Sequence, residues 1–209
     1  MGFMVLYKKG NITISTIEES DTGKVLQYFS ENDFNCRGES AALRPTNSQF
    51  MCIMKNIISG KDDESNIFVL KNRDEVLGYV SCFVEYDRLH IGHIAVDKAH
   101  RGLGYGKMLT KLAISVAEST GRDVSLYCSH SNPLFAKMDF ECLDGVHFHH
   151  KARKFHPIKK YPKLFVDIDT YKARKDAEMK KQTDSFKKFL ESDAFKVLMN
   201  MDVNHYDGM

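Results

Sequence analysis

Leu89-His90-Ile91-Gly92-His93-Ile94-Ala95-Val96, then Asp97-Lys98-Ala99-His100, then Arg101-Gly102-Leu103-Gly104-Tyr105-Gly106, is the stretch on which the reading of this chain turns. The first eight residues are mostly β-branched, small or apolar, and their number suits one strand. Asp97 to His100 turn the chain. From Tyr105 the apolar positions Tyr105, Met108, Leu109, Leu112, Ala113, Val116 and Ala117 recur every three or four residues, so they share one helical face. Gly121 follows as a stop signal. Gly102, Gly104 and Gly106 lack a Cβ, so backbone amides there can approach a ligand closely. Those amides meet the positive end of the helix dipole, which predicts an anion site, most naturally for phosphate.

Known phosphate loops narrow the ligand by elimination. A Walker loop requires Gly, four residues, then Gly-Lys-Ser/Thr, but Arg101 holds the first Gly position and Met108 follows Lys107. A dinucleotide fingerprint requires Gly-x-Gly-x-x-Gly, and here the spacing is Gly-x-Gly-x-Gly. Arg-x-x-Gly-x-Gly directly after a strand ending in Ile-Ala-Val instead resembles the central motif of the GNAT superfamily of acyl-CoA-dependent N-acyltransferases. The resemblance covers about Ile12 to Tyr171. It implies a mixed α/β fold with a split, mostly antiparallel sheet flanked by helices. It also implies acetyl-CoA as co-substrate and direct transfer of the acetyl group to a primary amine in a ternary complex.

Composition leaves that reading open and narrows the alternatives. The chain has 209 residues, enough for one domain with an appendage. Hydrophobic content of 43% and charged content of 28% are ordinary for a soluble globular protein. A net charge of +2 argues against a global field for nucleic acid or membrane, so any such interaction must be local. Cys36, Cys52, Cys82, Cys128 and Cys142 are odd in number and widely spaced, with no Cys-x-x-Cys pair, which suits a reducing compartment. Met1 to Tyr7 is short for a signal peptide and has no basic leader. No segment reaches membrane-spanning length. These features predict a cytoplasmic protein.

Met4–Tyr7 and Ile12–Ile17 predict an opening hairpin about Lys9-Gly10-Asn11. Ser20 and Asp21 offer N-caps for a helix carrying Val25, Leu26 and Phe29, and a second helix is expected from about Ser48 to Ile58. Asn35 to Pro45 between them has no clear pattern; in the resembled family this region borders the acceptor site. Ile67–Leu70, Val76–Glu85 and the Leu89 strand predict an antiparallel meander. Asp123–Cys128 is then reached by a helical crossover and is parallel to its predecessor. Family members splay these two parallel strands. Val146–His150 and Leu164–Ile168 are expected as closing strands, ending a domain over residues 1–171. Residues 172–209 are expected as a C-terminal helical extension, polar to Gln182. Beyond that, an apolar stripe of Phe186, Phe189, Leu190, Ala194, Val197, Leu198 and Met201 suits self-packing or a homodimer.

Site residues follow from the resemblance. The amide of Ile94 is expected to polarise the thioester carbonyl and Val96 to hold the pantetheine arm, with Ala95 between them also assigned to the cofactor site. Arg101, Gly102, Leu103, Gly104, Tyr105 and Gly106 take the pyrophosphate. Asn132-Pro133-Leu134-Phe135-Ala136-Lys137-Met138-Asp139-Phe140 resembles the family's second motif, so Asn132 and Phe135 are assigned to the cofactor side. Asp139 replaces the family's glycine, and the short spacing predicts a stubby helix.

His90 aligns with the family's usual carboxylate base. Strand alternation places it on one face with Gly92 and Ile94, and His93 on the other. Four strand residues span roughly 13 Å, so His90 would work through an ordered water. A strand-end histidine without a catalytic part is the alternative. Phe135 stands where the family often has a proton-donating Tyr; Tyr127, Ser129 or water is left to protonate the thiolate, or the chain does not turn over. The second reading is therefore a non-catalytic CoA-binding or nucleic-acid-associated regulatory module. The loop His147–Lys163 supports it, with Lys151, Arg153, Lys154, Lys159, Lys160 and Lys163 and no acid. No metal is expected: His147, His149 and His150 lack a nearby Cys or carboxylate to complete a tetrahedral set.

Overall fold

The computed structural model describes residues 3–31, 45–128, 133–143, 147–151, 164–193 and 195. Nearly all of the patternless stretch Asn35 to Pro45, most of the basic loop, Ser129, Asn132 and the end of the apolar stripe lie outside them. The chain divides into two compact units, Met1–Val166 and Asp167–Met209.

The first unit is built on an eight-stranded sheet. Its strands are β1 (Val5–Lys9), β2 (Ile12–Thr16), β3 (Ser65–Asn72), β4 (Glu75–Glu85), β5 (Arg88–Val96), β6 (Asp123–Tyr127), β7 (Glu141–Cys142) and β8 (His147–His150). Spatial order is β1-β2-β3-β4-β5-β6-β8-β7. Every pair is antiparallel except β5 and β6, which the crossover helix makes parallel.

Two helices cover one face. α1 (Thr22–Glu31) follows a turn in which Glu18 and Asp21 form a reciprocal capping box. Lys71 on β3 anchors that turn, 2.7 Å from Asp21 and 3.1 Å from Glu18. α2 (Asn47–Ile58) starts where Thr46 and Gln49 cap each other, Thr46 Oγ1 accepting from the Gln49 amide and Gln49 Oε1 from the Thr46 amide. Phe29 and Phe50 stack at 4.1 Å, and with Val25, Met54 and Ile57 they bury against Ile67, Val69, Tyr79 and Ala95 of the sheet. The other face carries α3 (Tyr105–Ser119), whose Leu109, Leu112, Ala113 and Val116 are buried as the spacing predicts. The second motif forms α4 (Pro133–Ala136), a single turn, as its short spacing predicts.

Leu164–Val166 is buried but is not a strand. Val166 donates to Asp63 O at 2.8 Å, Asn66 Nδ2 donates to Leu164 O, and the buried Arg122 donates to Val166 O. Its carbonyls and amide are thus satisfied one by one instead of through a ladder. The closing strand is instead β7, paired to β8. Asp167 then caps α5 (Ile168–Glu191), its carboxylate accepting from the Thr170 amide at 2.8 Å, so one helix runs through the expected boundary at 171. Within this second unit Phe186, Phe189 and Leu190 are exposed. No helix among the described residues is long and apolar enough to cross a membrane.

Candidate functional site

The register of β4 and β5 reads Val80↔Ile94 and Ser81↔His93, then Cys82↔Ile91 and Phe83↔His90. Gly92 is one residue too many on β5, which makes a β-bulge. Directly paired residues share a face, and Ser81 and Phe83, two apart, point the same way; so do His93 and His90. The alternation expectation is corrected on both counts: His90 lies with His93 on the α1/α2 face, while Ile94 lies on the α3 face. The contacts agree. Ser81 Oγ is 3.3 Å from His93 Nδ1, the His93 ring meets Phe29 edge-on at 5.0 Å, and the His90 ring lies 4.7 Å from Phe83. A Cβ at Gly92 would come within 3.3 Å of both Phe83 Cε1 and Ser81 Oγ, so any larger residue at the bulge would press on these two side chains.

Just beyond the bulge the sheet parts. The parallel ladder runs from Arg88↔Asp123 to Ile91↔Leu126 and ends there. β5 continues to Val96 along β4, while Tyr127 at the end of β6 pairs with His147 of β8. The parting links the α3 face to the α1/α2 face. Ile94 and Val96 stand at its α3 side, and Ala95 between them is buried in the α1/α2 core.

The glycine loop follows Val96. Asp97 Oδ1 accepts from the Ala99 amide at 2.9 Å, and Arg101 Nε donates to Val96 O at 3.1 Å, folding the loop back on the strand end. Gly102 and Gly104 have φ of 82° and 87°, and a Cβ added at either would meet nothing within 4 Å. Gly104 is the N-cap of α3, so an open, side-chain-free cradle lies at the helix N-terminus. Leu103 is exposed, and Tyr105 and Gly106 are half-buried. Tyr28 braces the loop from α1: its hydroxyl lies 2.8 Å from Val76 O and 2.9 Å from Asp97 Oδ2. Burial, with the Asp97 carboxylate, raises the Tyr28 phenol above its ordinary value, and the Tyr28 hydrogen bond holds Asp97 below its own.

His90 is 5% exposed. Its Nδ1 sits 3.0 Å from the buried Ser125 Oγ, and Glu85 Oε2 is 3.9 Å away. Burial, with His147 and His93 nearby, pushes the imidazole down to about 4. It is therefore neutral at pH 7. Above pH 6.5 neither state carries the proton; as pH falls from 6.5 to 4 the unfolded chain binds one that the native state refuses. His90 thus removes stability over that window, by roughly 3 kcal/mol at its acid end. The expected result is an imidazole titration by NMR with a midpoint near 4; a midpoint near 6.5 would contradict the burial argument.

Tyr127 is 52% exposed, stacked on His147 at 4.6 Å and tilted against His90 at 5.1 Å. Phe135 is 4% exposed and packs among Phe140 and Phe148, so its ring supports α4 from beneath. Asp139 adopts φ of 60°, the left-handed backbone for which the family's glycine would serve and which Asp tolerates. Sequence reasoning did not bring Phe83, Ser125, Glu85 or His147 together with His90. Ser125, a polar residue between Val124 and Leu126 in a strand parallel to β5, was the one signal available. Among the described residues no group of three or more His, Cys, Asp or Glu side chains is placed to hold a metal ion.

The model of the acetyltransferase (GNAT) family matches residues 29–140, more than half of the sequence. The chain belongs to that family. This GNAT chain also superposes on solved structures at low identity, a likeness of fold. The PaiA N-acetyltransferase of Thermoplasma acidophilum in complex with coenzyme A shares 13% identity at a TM-score of 0.53, over 68% of this chain and 98% of that one. Ard1 of Thermoplasma volcanium shares 14% at 0.52, over 66% and 95%. The N-acetylglutamate synthase of Neisseria gonorrhoeae, complexed with coenzyme A and L-arginine, shares 14% at 0.52, over 70% of this chain and 34% of that one. Comparison with curated proteins finds no match.

Proposed function

We propose that this GNAT chain transfers an acetyl group from acetyl-CoA to a primary amine, directly and within a ternary complex. What supports the reading is one juxtaposition. An open phosphate cradle on the α3 face and a buried neutral imidazole on the opposite face meet where β5 and β6 part. Acetyl-CoA supplies a thioester carbonyl open to amine attack. The chain's part is to bind it, polarise it and move protons. Gly102 to Gly106, with Arg101, take the pyrophosphate through amides at the α3 N-terminus. Val96 holds the pantetheine arm, and the Ile94 amide, near the bulge, donates to the oxygen as negative charge develops there.

His90, neutral at pH 7, takes the proton of the attacking amine through a water. For Nε2 to accept it, Nδ1 must carry hydrogen and donate to Ser125 Oγ, so Ser125 is a positioning residue. Tyr127 returns a proton to the thiolate. Phe135 has no proton to give and acts through packing. Catalysis is assigned to residues 1–171, with residues 172–209 as an extension that pairs two copies, in a cytoplasmic setting.

Isothermal titration with acetyl-CoA and with CoA tests the binding half; the turnover half is tested by thiol release over an amine panel. Binding of both cofactors with amine-dependent thiol release is the expected result. Binding with no release from any amine would favour the non-catalytic module, and no binding would overturn the reading. His90→Ala should cut transfer most at lower pH, where amines are most protonated. A rate reduced equally at every pH would remove His90 as the base.

A further inference from the structure

Four rings cross four adjacent strands on the α1/α2 face. Phe83 on β4, His90 on β5, Tyr127 on β6 and His147 on β8 stand with successive centroids 4.7, 5.1 and 4.6 Å apart. The row is uneven in depth. Phe83 is 39% exposed and Tyr127 more so, whereas His90 between them is buried, so two exposed rings flank a buried imidazole. Packing alone does not require aromatic faces to stand in solvent at this point. Phe83 also reaches the bulge: its Cε1 lies where a Cβ at Gly92 would press on it. A flat group laid on Phe83 is therefore next to the backbone of the parting. Glu85 brings a half-exposed carboxylate oxygen within 3.9 Å of His90 Nδ1, which suits an approaching ammonium.

We propose that this row is the acceptor platform, and that the acceptor is an amine carried on an aryl group, its ring on Phe83 and Tyr127 and its ammonium between Glu85 and His90. This rests on the acetyl-transfer reading of the same site. Ring faces attract both aromatic groups, by offset or edge-on stacking, and cations, through the quadrupole. An arylalkyl amine uses both attractions at once; a short alkyl amine uses only the second. The ammonium gives its proton to water; the neutral amine then attacks the thioester carbon from the side of the sheet opposite the phosphate cradle, and as the C–N bond forms and the C–S bond breaks the proton shed by nitrogen passes to His90.

The full chain, alone and saturated with CoA, is titrated with 2-phenylethylamine and with n-butylamine while the histidine and tyrosine ring signals are followed by NMR. The expected result is at least about tenfold tighter binding of 2-phenylethylamine, with shifts at His90 and Tyr127. Phe83→Leu should reduce that preference to under about threefold, and Phe83→Tyr, which keeps the ring, should retain it. Circular dichroism and Tm check that both variants fold. Equal binding of the two amines, no binding of either, or a preference that survives Phe83→Leu overturns the platform. Failure of CoA to bind overturns the transfer reading, while the titration of the free chain still reads the platform.

Discussion

Gly104→Glu is expected to raise the Kd for acetyl-CoA by at least about 100-fold while leaving the fold intact. Gly104 caps α3 with φ of 87°, and a Cβ there would project into open space. That open space is what the cofactor phosphates are proposed to fill. A glutamate would occupy it with a carboxylate, satisfying the same amides and the same dipole end that phosphate needs. An anion at a helix N-terminus is favourable, so it offsets part of the about 1–2 kcal/mol that a side chain pays in a left-handed backbone. Stability then changes little and binding is lost. Gly104→Asn is the control: Asn tolerates this backbone and is uncharged, so its loss should be much smaller. Calorimetric titration of the three proteins decides the matter. Wild-type affinity in Gly104→Glu would take the glycine loop out of the cofactor site.

Gly78→Ala should be the costliest methyl in the sheet, destabilising by about 3 kcal/mol, the upper end of what overpacking usually costs. Gly78 pairs with Val96, and its added Cβ would lie 2.5 Å from Ala95 O and 3.1 Å from Val96 Cα. These are backbone atoms, so no rotamer change relieves the clash. The neighbourhood is also tied down. Asp97 N donates to Leu77 O at 2.8 Å, and Tyr28 bridges Val76 O and Asp97. Relief must therefore come from moving the end of β5, from which the glycine loop hangs, and acetyl-CoA affinity should fall with stability. Urea denaturation reads the first effect and calorimetry the second. An unchanged unfolding midpoint would mean that β5 yields without cost.

The two glycines differ in how visible they were. Gly104 announced itself through spacing, because a helix start, a dipole and a run of residues without Cβ are all local. Gly78, in Val76-Leu77-Gly78-Tyr79, reads as one strand glycine among others. Its need comes from Ala95 O, seventeen residues on, and only pairing brings that oxygen close.

His90 shows the same divide. Its residue type and place on a strand were legible, and so was its candidacy as a base. Which face it occupies was not, because alternation assumes an uninterrupted ladder. One extra residue at Gly92 reverses everything beyond it, bringing His90 and His93 to one side and leaving Ile94 on the other. The Ser125 partner, the depressed basicity and the four-ring row all follow from that register. The Leu164–Ile168 strand failed for a related reason. Its apolar residues are buried as a strand's would be, but the hydrogen bonds come from Asn66, Arg122 and Asp63, and Asp167 starts a helix at once.

The sequence by itself determined the order of strands and helices from β1 to β6, the parallel crossover, the glycine loop at the head of α3 and the family. Each rests on periodicity, capping or spacing within about thirty residues, the range over which local chemistry acts. Tertiary structure alone decided the bulge, the point where β5 and β6 part, the burial of His90 and the aromatic row that runs through it. These depend on which backbone lies beside which, and on how much water that pairing excludes.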